Sequence, residues 1–175
     1  MKHILAFAGS NSKTSINKQL AIHAASHVEE ATYDVVDLNE YPLPIFSMEE
    51  EQRGFPKFAV EFNDVLGGYD GFVVSLAEHN GSYAAVFKNI FDWVSRIDRK
   101  VFKDKPVLLL ATSPGDRGGA TVLESASRTF PHLGAQVIAT FSLPSFYANF
   151  KDGELVDDSL KEALHTTIKE FKEAL

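Results

Sequence analysis

Five short apolar runs punctuate the chain: HILAFA (3–8), YDVVDL (33–38), GFVVSLA (71–77), PVLLLATS (106–113) and QVIATFSL (136–143). Most are continuously apolar and rich in Val, Ile or Leu, as strands buried on both faces of a parallel sheet tend to be. The second is paler and suits a flanking position. Between the runs, apolar residues recur at helical spacing near 15–30, 56–67, 83–97, 119–132 and 158–174. The third of these is the clearest. Val86, Ile90, Trp93, Val94 and Ile97 follow a 3.6-residue period, and Phe87 and Phe91 widen the face. The last repeats the pattern with Leu160, Leu164, Ile168 and Phe171.

Strict strand–helix alternation predicts an α/β fold with helices on both faces of a five-stranded parallel sheet. Right-handed crossovers make the doubly wound, flavodoxin-like order 2-1-3-4-5 the natural winding. With no linker or repeat, residues 1–175 read as a single domain. The longest irregular stretch, NEYPLPIFSMEEEQRGFP, exceeds the usual loop length and reads as a functional loop or a subunit contact. Its three successive glutamates are expected to face water.

In such a sheet ligands gather beyond the strand carboxyl ends, near the point where strand order reverses. The loops after strands one, three and four therefore carry the argument. The first, AGSNSKTSIN, lacks the Gly-Lys-Ser/Thr of a Walker loop and the G-x-G-x-x-G of a dinucleotide fold. It places Ser10, Ser12, Ser15 and Asn17 at a helix start, where free N–H groups and the helix dipole favour a phosphate without a lysine. One such hydroxyl would be an ordinary N-cap; four such residues point to an anion. In the second loop, Asn80 and Gly81 tolerate positive φ, and His79 could stack on a planar ring. In the third, TSPGDRGGAT, Gly118 and Gly119 leave N–H groups open for the carbonyl edge of an electron-poor heterocycle. Together the loops suggest a mononucleotide, with its phosphate in the first and its ring between the other two.

Composition narrows the choices. The absence of cysteine removes disulfides, zinc-thiolate and iron–sulfur sites, and thiol nucleophiles. A net charge of −7 disfavours nucleic acid as a partner. The N-terminus reads as a strand rather than a signal, and no run is long enough to span a membrane, so a cytoplasmic location is expected. His23 and His27 stand four apart on the first helix, a metal-binding spacing, but no third ligand is apparent in the sequence. They read as an exposed helical pair, and no metal is expected. Asp37 after the second strand could mimic a ribose-binding acid, weakly without the glycine fingerprint.

The segments AGSNSKTSIN, VVDLNEYPLPIF, EHNGSYAAVFKNIFDWVSR and TSPGDRGG resemble the NAD(P)H-dependent FMN reductases of the flavodoxin-like superfamily, a group that includes quinone, azo-dye and chromate reductases. The third segment, with Asn80-Gly81-Ser82, Lys88-Asn89 and Asp92-Trp93, is the most specific. The resemblance implies that Ser10, Ser12, Ser15, Ile16 and Asn17 bind the FMN phosphate. It implies that Glu78, His79, Asn80 and Gly81 border the isoalloxazine, as do Ser113, Gly115, Arg117 and Gly118. NADPH or NADH would supply a hydride through the flavin N5 to a quinone, azo compound, metal oxyanion or free flavin, in ping-pong order and with no catalytic side chain. A homodimer or homotetramer is implied as well. The chain departs from the family pattern at Ser12, where many members carry arginine, and at His79, where many carry tyrosine. The first departure leaves NADPH against NADH open. The rival readings are a flavodoxin-type electron carrier and a flavin-binding regulatory protein of low turnover.

Overall fold

The apolar runs form the strands of one parallel sheet in the computed structural model, which describes all 175 residues. In chain order the elements are β1 (Lys2–Gly9), α1 (Ile16–Ser26), β2 (Ala31–Val36), α2 (Met48–Gln52), α3 (Lys57–Gly67), β3 (Gly71–Leu76), β4 (Glu78–His79), β5 (Ser82–Tyr83), α4 (Ala85–Ile97), β6 (Lys105–Thr112), α5 (Ala120–Thr129), β7 (Ala135–Leu143), α6 (Phe146–Asn149), β8 (Phe150–Lys151), β9 (Glu154–Leu155) and α7 (Asp158–Ala174). The sheet runs β2-β1-β3-β6-β7, the flavodoxin-like order expected. β4–β5 and β8–β9 are separate two-stranded hairpins. No helix is long and apolar enough to cross a membrane.

Side-chain alternation along each strand divides the core in two. Leu5, Phe7, Val107 and Leu109 face α3, α4 and α5, while Ile4, Ala6, Leu108 and Leu110 face α1 and α7. The first half is aromatic: Phe91 lies with its ring centroid 4.4 Å from that of Phe87, and Phe102 lies 4.7 Å from Phe130. β3, at the centre, is buried along its whole length. β2 is an edge strand, its Thr32, Tyr33, Asp34 and Val35 exposed, which explains its paler sequence.

Element boundaries differ from the expected ones for local reasons. The first helix stops at Ser26 rather than 30: His27 caps it, its N–H bonding back to the Ala24 carbonyl, and the chain then turns at Glu30 (φ 62°) to enter β2 early. The third helix starts at Ala85, since Ser82 and Tyr83 pair in the β4–β5 hairpin. The fourth ends at Thr129. Pro131 has no N–H to continue an α-helix, so the chain tightens into a 3₁₀ turn over Phe130–Leu133.

The long loop after β2 is ordered by α4. Asn89 and Trp93 both donate to the Pro44 carbonyl, at 3.0 and 2.8 Å, and the Phe46 N–H donates to Asn89 Oδ1 at 2.8 Å. Its glutamates do not all face water as expected: Glu50 pairs with Arg53 and Glu51 with Arg96. On α4, Phe87, Ile90, Phe91, Trp93 and Val94 are buried inside this chain. That apolar face is therefore no independent sign of a second subunit.

Candidate active site

Four loops meet beyond the carboxyl ends of the strands. The first follows β1. Ser15 is the N-cap of α1, its Oγ accepting from the Lys18 N–H at 3.1 Å, and Ser10 Oγ accepts from the Ser12 N–H at 3.1 Å. Each nearly buried hydroxyl uses a lone pair on the backbone and keeps its proton for another acceptor. The N–H groups of Lys13, Thr14, Ile16 and Asn17 have no acceptor within the protein. Lys18 is turned away, bound to Asp37 at 2.7 Å, and this contact holds the Asp37 carboxyl below the usual carboxylate range. The loop is thus a cluster of neutral donors at a helix N-terminus, chemistry suited to a terminal phosphate.

The side chain of Asn17 has a different task from the others. Its Oδ1 accepts from Ser75 Oγ at 2.7 Å and the Thr112 N–H at 3.0 Å, while Nδ2 donates to the Thr112 carbonyl at 3.1 Å. The carboxamide is buried and spent on β3 and β6, so of the donors of Asn17 only its backbone N–H is left without a partner.

The second loop is the β4–β5 hairpin, turning through Asn80 (φ 52°) and Gly81 (φ 73°), both left-handed as their residue types allow. Two contacts pin it to α5. Glu78 Oε2 accepts from the Val122 N–H at 2.9 Å, and the Tyr83 and Thr129 hydroxyls lie 2.9 Å apart. Glu78 thereby satisfies a donor in the first turn of α5 and places its charge at the positive end of that helix. The third loop offers fewer free donors than its sequence suggests. The Gly118 N–H is engaged by the Gly115 carbonyl at 3.4 Å, and Gly118 packs so tightly on β7 that a Cβ would meet the Leu143 carbonyl oxygen at 2.9 Å. The close approach to β7 thus requires a glycine at 118. Arg117 is exposed and bonds to Thr121.

A cleft of about 190 Å³ brings together Ser10, Ser12, Ser15, Ile16, Asn17, Glu78, His79 and Ser113 of the predicted residues. Asn80, Gly81, Gly115, Arg117 and Gly118 do not line it; they stand at the hairpin tip and along the third loop. Thr14, Thr112, Pro114 and Tyr147 line it without having been expected. Tyr147 comes from a fourth loop, after β7, whose Ser145 and Phe146 N–H groups bond to the Gly115 and Ser113 carbonyls. The only sequence signal for it was an aromatic pair just past the last strand.

Residues 2–148 match the family described as NADPH-dependent FMN reductase, and the chain belongs to that family. It is an oxidoreductase of this kind. Among curated relatives, it is 29% identical to a probable NADPH:quinone oxidoreductase 1 of Oryza sativa, with 92% of this chain and 85% of that protein aligned. It is 28% identical to an NADPH azoreductase of a Bacillus species, over 94% and 87% of the two chains. Among solved structures, the flavoenzyme FerB, an NAD(P)H:(acceptor) oxidoreductase from Paracoccus denitrificans, superposes with a TM-score of 0.79 at 21% identity. That alignment covers 99% of this chain and 97% of FerB, and it confirms the fold.

Replacing Asn17 by leucine keeps the branched heavy-atom skeleton but strands the buried Thr112 N–H. Chemical denaturation is expected to show a loss of about 2–4 kcal/mol, given the cost of an orphaned buried donor plus lost bonds. Ser75→Ala, which leaves both backbone bonds intact, should cost clearly less.

Proposed function

We propose that the protein is an FMN-dependent NAD(P)H oxidoreductase that reduces a small acceptor, such as a quinone, an azo compound, a metal oxyanion or free flavin, in ping-pong order. The observation that carries this reading is the donor cluster at the start of α1. Two serine protons and four unpaired backbone N–H groups converge there, with no committed cation and no nucleophile. This donor set fits the FMN phosphate: Ser10, Ser12 and Ser15 through their hydroxyls, Ile16 and Asn17 through backbone N–H. When bound, FMN would supply the two-electron chemistry linking donor to acceptor.

The remaining residues position and admit. A cleft of about 190 Å³ is below the roughly 300 Å³ at which enclosed ligand pockets begin. The cleft alone is therefore too small for the whole cofactor, and Glu78, His79, Asn80 and Gly81, with Ser113, Gly115, Arg117 and Gly118, are the residues that would border its ring. Tyr147, two-thirds exposed, stands at the rim of the cleft. An open rim suits flat acceptors of many kinds. Arg117, tied only to a threonine hydroxyl, is free to meet a phosphate of the electron donor.

The unit acting is a single domain spanning 1–175, and it works as a homodimer or a dimer of dimers. Support comes from the loop over α4, which exposes Ile45 (78%) and Met48 (68%). Beside Ile45 runs a groove of about 350 Å³ lined mainly by apolar residues. Ile45→Asp should shift the mass measured by light scattering toward the monomer without unfolding the chain.

The deciding experiment loads the protein with FMN, desalts it, and adds NADPH or NADH without air. Retained flavin absorbance that bleaches within seconds, then recovers with a quinone, is the expected result and identifies the donor. Parallel lines in double-reciprocal rate plots would establish the ping-pong order. Retained flavin that does not bleach would favour the carrier or the regulator. Separately, Ser12→Asp removes a donor and adds a negative charge beside the phosphate. It should raise the FMN Kd by at least about tenfold, the equivalent of one charge-assisted hydrogen bond, in a flavin fluorescence titration.

A further inference from the structure

A larger cavity than the strand-end cleft lies elsewhere. It has a volume of about 460 Å³, sits between α1 and α7, and shares no lining residue with the cleft at the strand ends. His23 and His27 open onto it, and so does Glu154 of the β8–β9 hairpin. The sequence offered no third ligand for the histidine pair; the fold supplies one from 127 residues beyond His27. A nitrogen of each imidazole and a carboxylate oxygen of Glu154 lie within 4.8 Å of one another.

We propose that His23, His27 and Glu154 bind one divalent transition-metal ion, which ties α1 to the β8–β9 hairpin. The hydrogen bonding of the two rings argues for it. His23 Nδ1 lies 3.0 Å from the Gly153 carbonyl oxygen, and His27 Nδ1 lies 2.8 Å from the His23 carbonyl oxygen. A carbonyl can only accept, so each Nδ1 carries the proton and each Nε2 keeps a free lone pair. Metal-ligating histidines are characteristically oriented by such an Nδ1–H donor contact. Two residues four apart also share a helix face, and the ring centroids are 4.5 Å apart.

The third ligand is held within reach. The hairpin turns through Asp152 (φ 52°) and Gly153 (φ 86°), and Phe150 packs edge-on against His23 at 5.4 Å. The same turn thus orients His23 through Gly153 and presents Glu154 beside it. The Glu154 side chain is two-thirds exposed, and its carboxylate lies 3.9 Å from His23 Nδ1, on the protonated side of the ring, so it must swing to share an ion with Nε2. Of the charges on the α7 wall, Lys161 is paired with Asp158 at 3.3 Å, and His165 offers a further imidazole. Two imidazoles and one carboxylate select Zn²⁺, Ni²⁺ or Cu²⁺ over Mg²⁺ or Ca²⁺, which prefer all-oxygen sites.

The test uses the full chain, free of any affinity tag, and Zn²⁺ as the probe in competition with a chromophoric chelator. One equivalent should bind, with no competition from Mg²⁺. At a hundredfold excess over Kd, the Tm should rise by roughly 5 °C, because the ion favours the folded state. His27→Gln and Glu154→Gln alter exposed side chains, and each should weaken binding by about tenfold or more. His132→Ala, remote and exposed, should leave it unchanged. Absence of Zn²⁺ binding, or equal affinity in His27→Gln, overturns the proposal. Flavin retention by His27→Gln should match that of the parent protein, so the outcome does not depend on the reading of the strand-end cleft.

Discussion

One buried carboxamide sets the geometry on which the strand-end cleft depends. Asn17 sits in the first turn of α1, yet its side chain is bonded to Ser75 in β3 and to both backbone groups of Thr112 in β6. Three hydrogen bonds inside the apolar core fix where the helix begins relative to the two central strands. None of the participating atoms is left unsatisfied, and no buried side-chain nitrogen or oxygen elsewhere in the chain is either. A fully paired polar group in a low-dielectric interior is directional in a way that apolar packing is not. Leucine or valine contacts would tolerate a small slide of α1; this network does not. The donor cluster at residues 10–17 inherits that rigidity.

Such rigidity matters because the cluster has little else with which to hold an anion. The chain carries a net charge of −7, and Lys18, the lysine in the first turn of α1, is neutralised by Asp37. Long-range repulsion fades within a Debye length of about 8 Å at physiological salt, whereas hydrogen bonds act at contact distance. Neutral donors therefore suffice if they are already aimed. The Ser15 cap and the Ser10–Ser12 contact aim them before any ligand arrives, so the ordering cost is met during folding rather than on binding. Glu78 completes this electrostatic arrangement from the other side of the cleft. Its carboxylate is directed into the start of α5, where the Val122 N–H and the helix N-terminus keep its charge occupied.

The fold was legible in the sequence because parallel strands buried on both faces cannot hide: β1, β3 and β6 are nearly unbroken apolar runs. β2 was legible as a flank because an edge strand needs only one apolar face. Helix ends were less so. Nothing between Ser26 and Ala31 is a glycine or proline, and the turn into β2 is made by a single left-handed residue, Glu30. The helix start in the first loop was readable, since serine is a standard N-cap and Ser15 caps α1. The separate task of Asn17 was not, because its partners lie 58 and 95 residues away. Tyr147 and Glu154 escaped for the same reason. Each belongs to an element of two to four residues, too short for any periodicity, and matters only through what the sheet brings beside it.

Helix α1 joins the two regions that carry chemistry. Asn17 and His23 are six residues apart, or roughly 9 Å along the axis and about 240° around it. Asn17 therefore points into the sheet while His23 and His27 turn outward toward α7 and the β8–β9 hairpin. Between them Leu20, Ala21 and Ala24 are completely buried against the strands. An ion at the histidine pair would clamp the far end of a helix whose near end is already held by three hydrogen bonds. Its effect is therefore on the stability of the α1–hairpin contact, while the donor geometry at Ser10 and Ser15 stays set by Asn17. With the near end of α1 fixed by Asn17, an ion at the far end would add stability without moving the donors of the first loop.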